Sequence, residues 1–280
     1  MKQDGIVGYG GTLGSYSEEA AVSYFKNKNV TLKNYEMFED VFEAIKNKEI
    51  DYGVLPLENS STGEVLENYD LIKQYDLYIV GEQTVKVEHH LLGLPGSTIE
   101  GLKTVYSHPQ GLAQCKEFLK ANPHISKKPY VNTALAAQYI AEAKDITKGC
   151  IASKRAAMHF GLDILKPHIN FNSNNFTRFV IISRNLEISK EADKLSLVFT
   201  TPHESGSLYH ALAYFALGNI NLLKIYSRPM QEKTWHYYFF VDLEGNINDR
   251  NVELALEQVK EKSEYFKVIG NYKADNLKLQ

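Results

Sequence analysis

Gly5-Ile6-Val7-Gly8-Tyr9-Gly10-Gly11-Thr12-Leu13-Gly14-Ser15-Tyr16-Ser17-Glu18-Glu19-Ala20-Ala21 runs from a short apolar segment, through a glycine-rich turn, into a helical pattern. The spacing predicts a strand over 5–9 and a helix over about 18–27, with Ser15 and Glu18 at the ends of an S-x-x-E capping box. The same alternation repeats downstream. Strands are predicted at 32–38, 52–57, 77–87, 103–107, 129–132, 150–152 and 179–183, and helices at 41–48, 64–74, 109–121, 134–143 and 154–160. Strands that alternate with helices in this way predict an α/β architecture with a largely parallel sheet.

The pattern breaks over 184–193, a charged, strand-poor segment that reads as a linker. Beyond it the rhythm changes. A strand at 195–201, a helix at 208–217, strands at 221–227 and 235–242, a helix at 251–262 and a strand at 265–272 spell β-α-β-β-α-β. That is the ferredoxin-like split motif, expected as an independent domain over 194–272.

The 280 residues are 44% hydrophobic and 23% charged, with a net charge of −3 spread along the chain. This is ordinary globular composition and lacks the basic footprint of a nucleic-acid binder. A small anion remains an acceptable ligand, because it needs a local positive field rather than a basic protein. The start of the chain carries no apolar run behind a charged segment, and no stretch approaches the roughly 18 apolar residues of a membrane span. A cytoplasmic protein without membrane or nucleic-acid partners is expected. Cys115 and Cys150 are far apart, without metal-type spacing, and read as buried small hydrophobes in a reducing compartment.

Several helix starts share a chemical feature. Ser61-Thr62-Gly63-Glu64 repeats the S-x-x-E pattern, Ser107-His108-Pro109-Gln110 fits S-x-x-Q, and Thr133 directly precedes Ala134-Leu135-Ala136-Ala137. Each falls just after a predicted strand. In α/β sheets those strand ends converge on one crevice, where helix N-termini offer free backbone N–H groups to an anion. The glycine run invites a dinucleotide reading, with Glu36 about where a ribose-binding acid would fall, but its spacing departs from G-x-G-x-x-G. His89-His90 is not expected to form a metal pair, since neighbouring strand residues point to opposite faces; one histidine is expected packed or hydrogen-bonded near the cleft. Asn175-Phe176-Thr177-Arg178-Phe179 precedes the apolar run Val180-Ile181-Ile182. It is either a polar turn before a core strand or a place where an Arg anchors a carboxylate beside a hydroxyl donor.

These segments, in this order, resemble the prephenate dehydratase family. The resemblance rests on 11–21, on Pro56-Leu57-Glu58-Asn59-Ser60-Ser61-Thr62-Gly63, on Ser107 through Cys115 and on Asn175-Phe176-Thr177-Arg178-Phe179. His89-His90-Leu91-Leu92 and Thr133-Ala134-Leu135-Ala136-Ala137 stand between them. The last third is similar to the ACT domain of that family, with Gly206-Ser207-Leu208 for its Gly-Ala-Leu turn and Tyr226-Ser227-Arg228-Pro229 for its Glu-Ser-Arg-Pro segment. Ser207 replaces the usual Ala, Tyr226 replaces the usual Glu, and Gly10 stands where the family often has Gln.

The resemblance implies a catalytic domain over 1–185 of two α/β lobes, similar to type II periplasmic binding proteins. Lobe 1 would span about 1–76 and 170–185, and lobe 2 about 80–168, with crossings near 77–80 and 169–174. It implies conversion of prephenate to phenylpyruvate, carbon dioxide and water in a cleft between the lobes, without cofactor or metal. Thr177 is the expected donor to the leaving hydroxide, Arg178 a carboxylate anchor or a support for Thr177, and Ser107 a further catalytic group. Ser15, Asn59, Ser60, Gln110 and Thr133 are expected to bind substrate, Phe179 to pack on the ring or in the core, and Glu58 to be structural. Gly206, Ser207, Leu208, Tyr226, Ser227, Arg228 and Pro229 would hold phenylalanine between ACT domains of a homodimer or homotetramer. No chorismate mutase segment precedes the catalytic motifs, so a monofunctional chain is expected. The rivals are an arogenate dehydratase, a phenylalanine-sensing binding protein without turnover, and, on the glycine run alone, a nicotinamide oxidoreductase.

Overall fold

The computed structural model describes residues 2–275, and the chain divides into two compact units. The larger holds Gln3–Leu71 and Gln83–Phe179, and the smaller holds Ile72–Glu82 with the chain from Val180 onward.

The larger unit begins with β1 (Asp4–Gly10), α1 (Tyr16–Tyr24), β2 (Asn29–Tyr35), α2 (Phe38–Lys46), β3 (Tyr52–Asn59), the two-residue β4 (Gly63–Glu64), α3 (Leu66–Gln74) and β5 (Tyr78–Lys86). A second set follows: β6 (His90–Gly93), β7 (Thr104–Ser107), α4 (Pro109–Gln114), α5 (Lys116–Ala121), β8 (Ser126–Pro129), α6 (Thr133–Ala143), β9 (Lys148–Ala152), α7 (Lys154–Phe160) and β10 (Asp163–Lys166). β11 (Phe176–Ser183) then returns to the first set, so the second is inserted in the first. Three elements, α3, β5 and β11, carry the chain across the boundaries between the units.

Two sheets result. The first has the order β11-β3-β1-β2, with β1 parallel to both neighbours and β4 turned back antiparallel on β3. The second has the order β10-β6-β9-β7-β8, parallel at β7 and antiparallel where β6 meets β9 and β10. The second sheet is covered on both faces. Leu92 and Cys150 point to one core with Ile140 and Ala156, and Leu91 and Ile151 to another with Val105 and Leu119. Burial on both faces makes such strands read as unbroken apolar runs. Each fully buried Leu, Ile or Val contributes about 1.5–3 kcal/mol. Both cysteines are free and buried.

The chain leaves the first sheet at 87–89 and re-enters it across 167–175. The first crossing thus falls later than 77–80, because the apolar run stays in one strand as far as Lys86. β6 and β10, four residues each, are not among the separate strands expected from the sequence.

The smaller unit contains β12 (Lys194–Thr200), α8 (Ser207–Leu217), β13 (Leu222–Pro229), β14 (Tyr237–Glu244), α9 (Arg250–Glu261) and β15 (Phe266–Tyr272). Its strands run β13-β14-β12-β15, with β5 beside β15. The split β-α-β-β-α-β is therefore present, with the central β12 antiparallel to both neighbours. Leu195, Leu197 and Phe199 alternate along β12 and pack against Ala211 and Phe215 of α8 and Val252, Leu256 and Val259 of α9. On the opposite face Ser196 donates to Asp242 at 2.6 Å and meets the Tyr272 hydroxyl at 2.9 Å. Among the described residues no helix is long and apolar enough to cross a membrane.

Candidate active site

Helices α1 and α6 start at a cavity of about 450 Å³ that opens between the two sheets of the larger unit. Ser15 caps α1, its Oγ accepting the Glu18 N–H at 3.3 Å, and Asn132 caps α6, its Oδ1 accepting the Leu135 N–H at 2.7 Å. The first-turn N–H groups of both helices are left for other acceptors. Two glycines of the run are required by backbone geometry. Gly11 and Gly14 lie in the left-handed region at φ 113° and 81°. A Cβ on Gly14 would come within 2.7 Å of the Ala156 Cα.

The expected caps shift. Pro109 occupies the first helical turn, so His108 rather than Ser107 caps α4, through Nδ1 accepting the Gln110 N–H at 3.3 Å. Thr133 is the first residue of α6 instead of its cap. Ser61–Glu64 forms no helix start; it folds into the β3–β4 hairpin.

The structure gathers Ser15, Asn59, Gln110, Thr133, Thr177 and Phe179 on the cavity wall. Asn59 is the centre of the polar side. Its Oδ1 accepts the N–H of Ser61 (2.9 Å) and of Thr62 (3.1 Å), and its Nδ2 donates to Asn175 Oδ1 (2.8 Å) and Thr177 Oγ1 (2.9 Å). Gln110 Nε2 donates to Thr62 Oγ1 at 2.9 Å. Thr177 is only 8% exposed, and Phe179, at 2%, serves both cavity wall and core.

Three expected residues lie elsewhere. Arg178, between Thr177 and Phe179 on β11, points to the other face, as strand alternation requires. There its Nε and NH2 donate to Glu58 Oε2 at 3.1 and 2.9 Å, so Glu58 is held in an ion pair with the Arg178 side chain rather than by backbone groups in these bonds. Ser107 is fully buried and donates to the Ile151 carbonyl at 2.7 Å, tying β7 to β9 behind the cavity. Ser60 is exposed; its Oγ accepts the Phe176 N–H at 2.9 Å and donates to the Asn174 carbonyl at 3.0 Å, pinning the return segment.

Four further residues join the wall or its support. His89 Nε2 meets Gln114 Oε1 at 2.8 Å, Gln114 Oε1 also accepts from Asn175 Nδ2 at 3.3 Å, and His89 Nδ1 lies 3.3 Å from the Tyr16 hydroxyl. Burial pushes the His89 imidazole down to about 4, against a smaller upward pull from its bond to Gln114. Pairing across strands this distant in sequence is invisible to local patterns; only the expectation of one histidine near the cleft pointed here. Among the described residues no Lys or Arg lines the cavity, and its carboxylate, Glu36, is exposed. Positive potential comes instead from the N-termini of α1 and α6.

Beside the cavity, Glu18 joins the two halves. Its Oε2 accepts the Gly14 N–H at 2.6 Å and its Oε1 takes Arg155 (2.9 Å) and His159 (3.0 Å) from α7. The Ser153 hydroxyl adds a 2.7 Å bond to the Gly14 carbonyl. His90, the first residue of β6, has other partners than His89, which lies just before the strand rather than on it. Ligand-type atoms of Glu88, His90 and His168 fall within 4.8 Å of one another, but Glu88 is paired with Lys86 at 2.8 Å and His90 Nδ1 accepts the His168 N–H at 3.1 Å. Together with Val87 N–H to the Asn175 carbonyl (2.7 Å) and Ile169 N–H to the His89 carbonyl (2.9 Å), these bonds lace the two crossing segments.

In the smaller unit, Gly206 caps α8 at φ 81°, and Ser207 and Leu208 line a separate cavity of about 360 Å³ with Trp235 and Tyr237. Tyr226, Ser227, Arg228 and Pro229 do not line it; they alternate along β13, the outer strand, opposite Phe240, Phe239, Tyr238 and Tyr237.

The cavity of the larger unit is walled by hydroxyls, amides and the N-termini of α1 and α6, groups that suit a small carboxylated ligand. The chain belongs to the prephenate dehydratase family, whose model, described as prephenate dehydratase, matches residues 7–187. It is 38% identical over 267 residues to a bifunctional chorismate mutase/prephenate dehydratase of Aquifex aeolicus, covering 95% of this chain and 73% of the relative. It is also 38% identical over 286 residues to arogenate dehydratase 2 of Petunia hybrida, covering 96% and 72%. Among solved structures, the prephenate dehydratase of Arthrobacter aurescens in complex with L-Phe superposes with a TM-score of 0.88 at 27% identity, covering 96% of this chain and 90% of that one. A protein described as GqqA, a novel type of quorum quenching acylase, gives 0.88 at 28% identity, covering 97% and 98%.

Proposed function

We propose that this chain converts prephenate to phenylpyruvate, carbon dioxide and water in the cavity of its larger unit, and that the split β-α-β-β-α-β is an ACT domain that senses phenylalanine. The observation that carries the catalytic reading is the bond from Asn59 Nδ2 to Thr177 Oγ1 at 2.9 Å. It occupies one of the two acceptor positions of the hydroxyl. Among the described residues the Thr177 O–H has no acceptor, so its hydrogen is left for the cavity.

The chemistry asks little else. The bond from the ring to its carboxylate breaks and releases CO2, the electron pair enters the ring, and the C–O bond opposite breaks. The departing hydroxide takes a proton and leaves as water. Aromatisation supplies the driving force, so the protein must orient a dianion and stabilise the leaving oxygen. Thr177 is the donor to that oxygen. First-turn N–H groups of α1 and α6, with Ser15, Asn59, Gln110 and Thr133, meet the carboxylates and the keto group, and Phe179 packs on the ring. Arg178 acts through Glu58, holding β3 and β11 together behind Thr177 and Asn59.

Separation of the Gly206–Leu208 turn from Tyr226–Pro229 within one chain supports an effector site completed by a second copy, in a cytoplasmic homodimer or homotetramer. Tyr226 in place of Glu makes the selectivity of that site the point to measure.

The test is phenylpyruvate formation from prephenate by purified protein and by Thr177→Ala, with loss of about a hundredfold expected in the variant. Arogenate is assayed in parallel, since a relative of equal identity is an arogenate dehydratase. A wild type inactive on both substrates overturns the reading.

A further inference from the structure

The orientation of three linked amides on the polar wall, Asn59, Asn175 and Gln114, can be worked out from a fixed end, and it assigns a role to a residue outside the family motif that carries Thr177. Asn59 Oδ1 faces the backbone N–H groups of Ser61 and Thr62, which can only donate. Its Nδ2 is therefore the atom that faces Asn175, and Asn175 must present Oδ1 in return, at 2.8 Å. That leaves Asn175 Nδ2 directed at Gln114, which must present Oε1, at 3.3 Å. The same Gln114 Oε1 lies 2.8 Å from His89 Nε2, so His89 must carry its hydrogen on Nε2.

The chain of bonds ends with Gln114 Nε2. Among the described residues this N–H2 group has no acceptor, and Gln114 lines the cavity. Of the two donors that hold its oxygen, the His89 bond is shorter by half an ångström, so His89 is the stronger constraint. The ring itself is held by its surroundings: His89 is 3% exposed, its backbone N–H donates to Asn170 Oδ1 at 3.0 Å, and the Tyr16 ring packs on it edge-on at 6.1 Å.

We propose that His89 is a positioning residue which, as a neutral imidazole with hydrogen on Nε2, locks Gln114 so that its amide N–H2 group faces the substrate oxygens. It takes no part in proton transfer. The ring is buried, and burial pushes it down to about 4, so it is neutral at pH 7. The kinetic part of this inference rests on the dehydratase reading; the tautomer does not.

His89→Gln keeps an N–H donor near the Nε2 position, whereas His89→Leu keeps the bulk and removes the donor. The expected result is near-normal kcat/KM for His89→Gln and a loss of about tenfold to a hundredfold for His89→Leu, the scale of a misplaced contact. In a Gln114→Leu background, His89→Leu should cause no further loss, because the residue acts through the amide that has been removed. Additive losses, or equal inactivity of His89→Gln and His89→Leu in folded protein, would overturn the proposal. Imidazole 15N spectra of the wild type, with His89 assigned by its absence from His89→Gln, should show the neutral Nε2–H tautomer from pH 8 to about 5. A protonated or Nδ1–H ring there overturns it even if the protein turns over neither substrate, an outcome that would instead sink the dehydratase reading.

Discussion

Replacing Arg155 by Met removes the strongest partner of Glu18 while keeping most of the side chain's bulk. The Glu18 side chain is 5% exposed and Arg155 28%, so the cost falls on the carboxylate. Stripping one partner from a buried ion pair costs about 3–5 kcal/mol when the other charge is left alone. Here Glu18 keeps the Gly14 N–H and His159, and Arg155 is partly screened by water, so about 2–3 kcal/mol is expected. For a unit of this size that lowers Tm by about 5–10 °C at pH 7. Burial pushes the Glu18 carboxyl up, but the Arg155 bond, the Gly14 N–H and the charges of Arg155 and His159 together hold it below its ordinary 4.5. The wild-type contribution is therefore complete above pH 4.5 and is lost as pH falls through the lowered value. In the variant burial dominates and the carboxyl titrates above 4.5, so the folded state takes up the proton more readily than the unfolded chain, and the Tm deficit against wild type should shrink as pH falls from 7 towards 4. Melts followed by far-UV circular dichroism from pH 4 to 8, on Arg155→Met, Glu18→Gln and the double variant, measure this. The two losses should not add, since each single variant breaks the same pair. A Tm within about 2 °C of wild type for Arg155→Met, or strict additivity, would falsify the reasoning.

Gly14→Ala should be destabilised by about 2–4 kcal/mol, from a left-handed backbone and a Cβ pressed on Ala156, and chemical denaturation would show it as a lower midpoint at unchanged slope. Ser153→Ala loses both the α7 cap and the bond to Gly14, and about 1–2 kcal/mol is expected in the same assay. Cys115, whose thiol burial pushes up to about 12, and Cys150, pushed further, should resist iodoacetamide at pH 8 in native protein and react fully in denaturant. Rapid native labelling of either would contradict their burial.

Much of the fold was legible because its signals are local. Strand–turn–helix alternation, the change of rhythm after 184–193 and the starts of α1 and α6 at one crevice all rest on patterns a few residues long. Motif order located the cavity wall, with Asn59, Gln110, Thr133, Thr177 and Phe179 brought together. What was misread turned on side-chain direction. Arg178 follows Thr177 directly, and the period of two that placed Thr177 at the cavity sends Arg178 to Glu58. Ser107 looked like a cap, yet Pro109 moves the cap to His108 and leaves Ser107 inside. Glu18 fits a capping box, but its carboxylate goes to Gly14, Arg155 and His159, the last two over 130 residues away, a choice no window of sequence contains. The network through Tyr16, His89, Gln114 and Asn175 was hidden for the same reason.

The approach of Gly14 to Ala156 also sets a dimension. Where two halves meet through long side chains, their separation is soft, because rotamers can yield. At Gly14 that softness is missing, because an added Cβ would lie 2.7 Å from the Ala156 Cα and 2.9 Å from its Cβ. Residue 14 is therefore a spacer of zero thickness: any side chain there would have to push the turn before α1 away from α7, and with it the stretch of cavity wall that begins at Ser15.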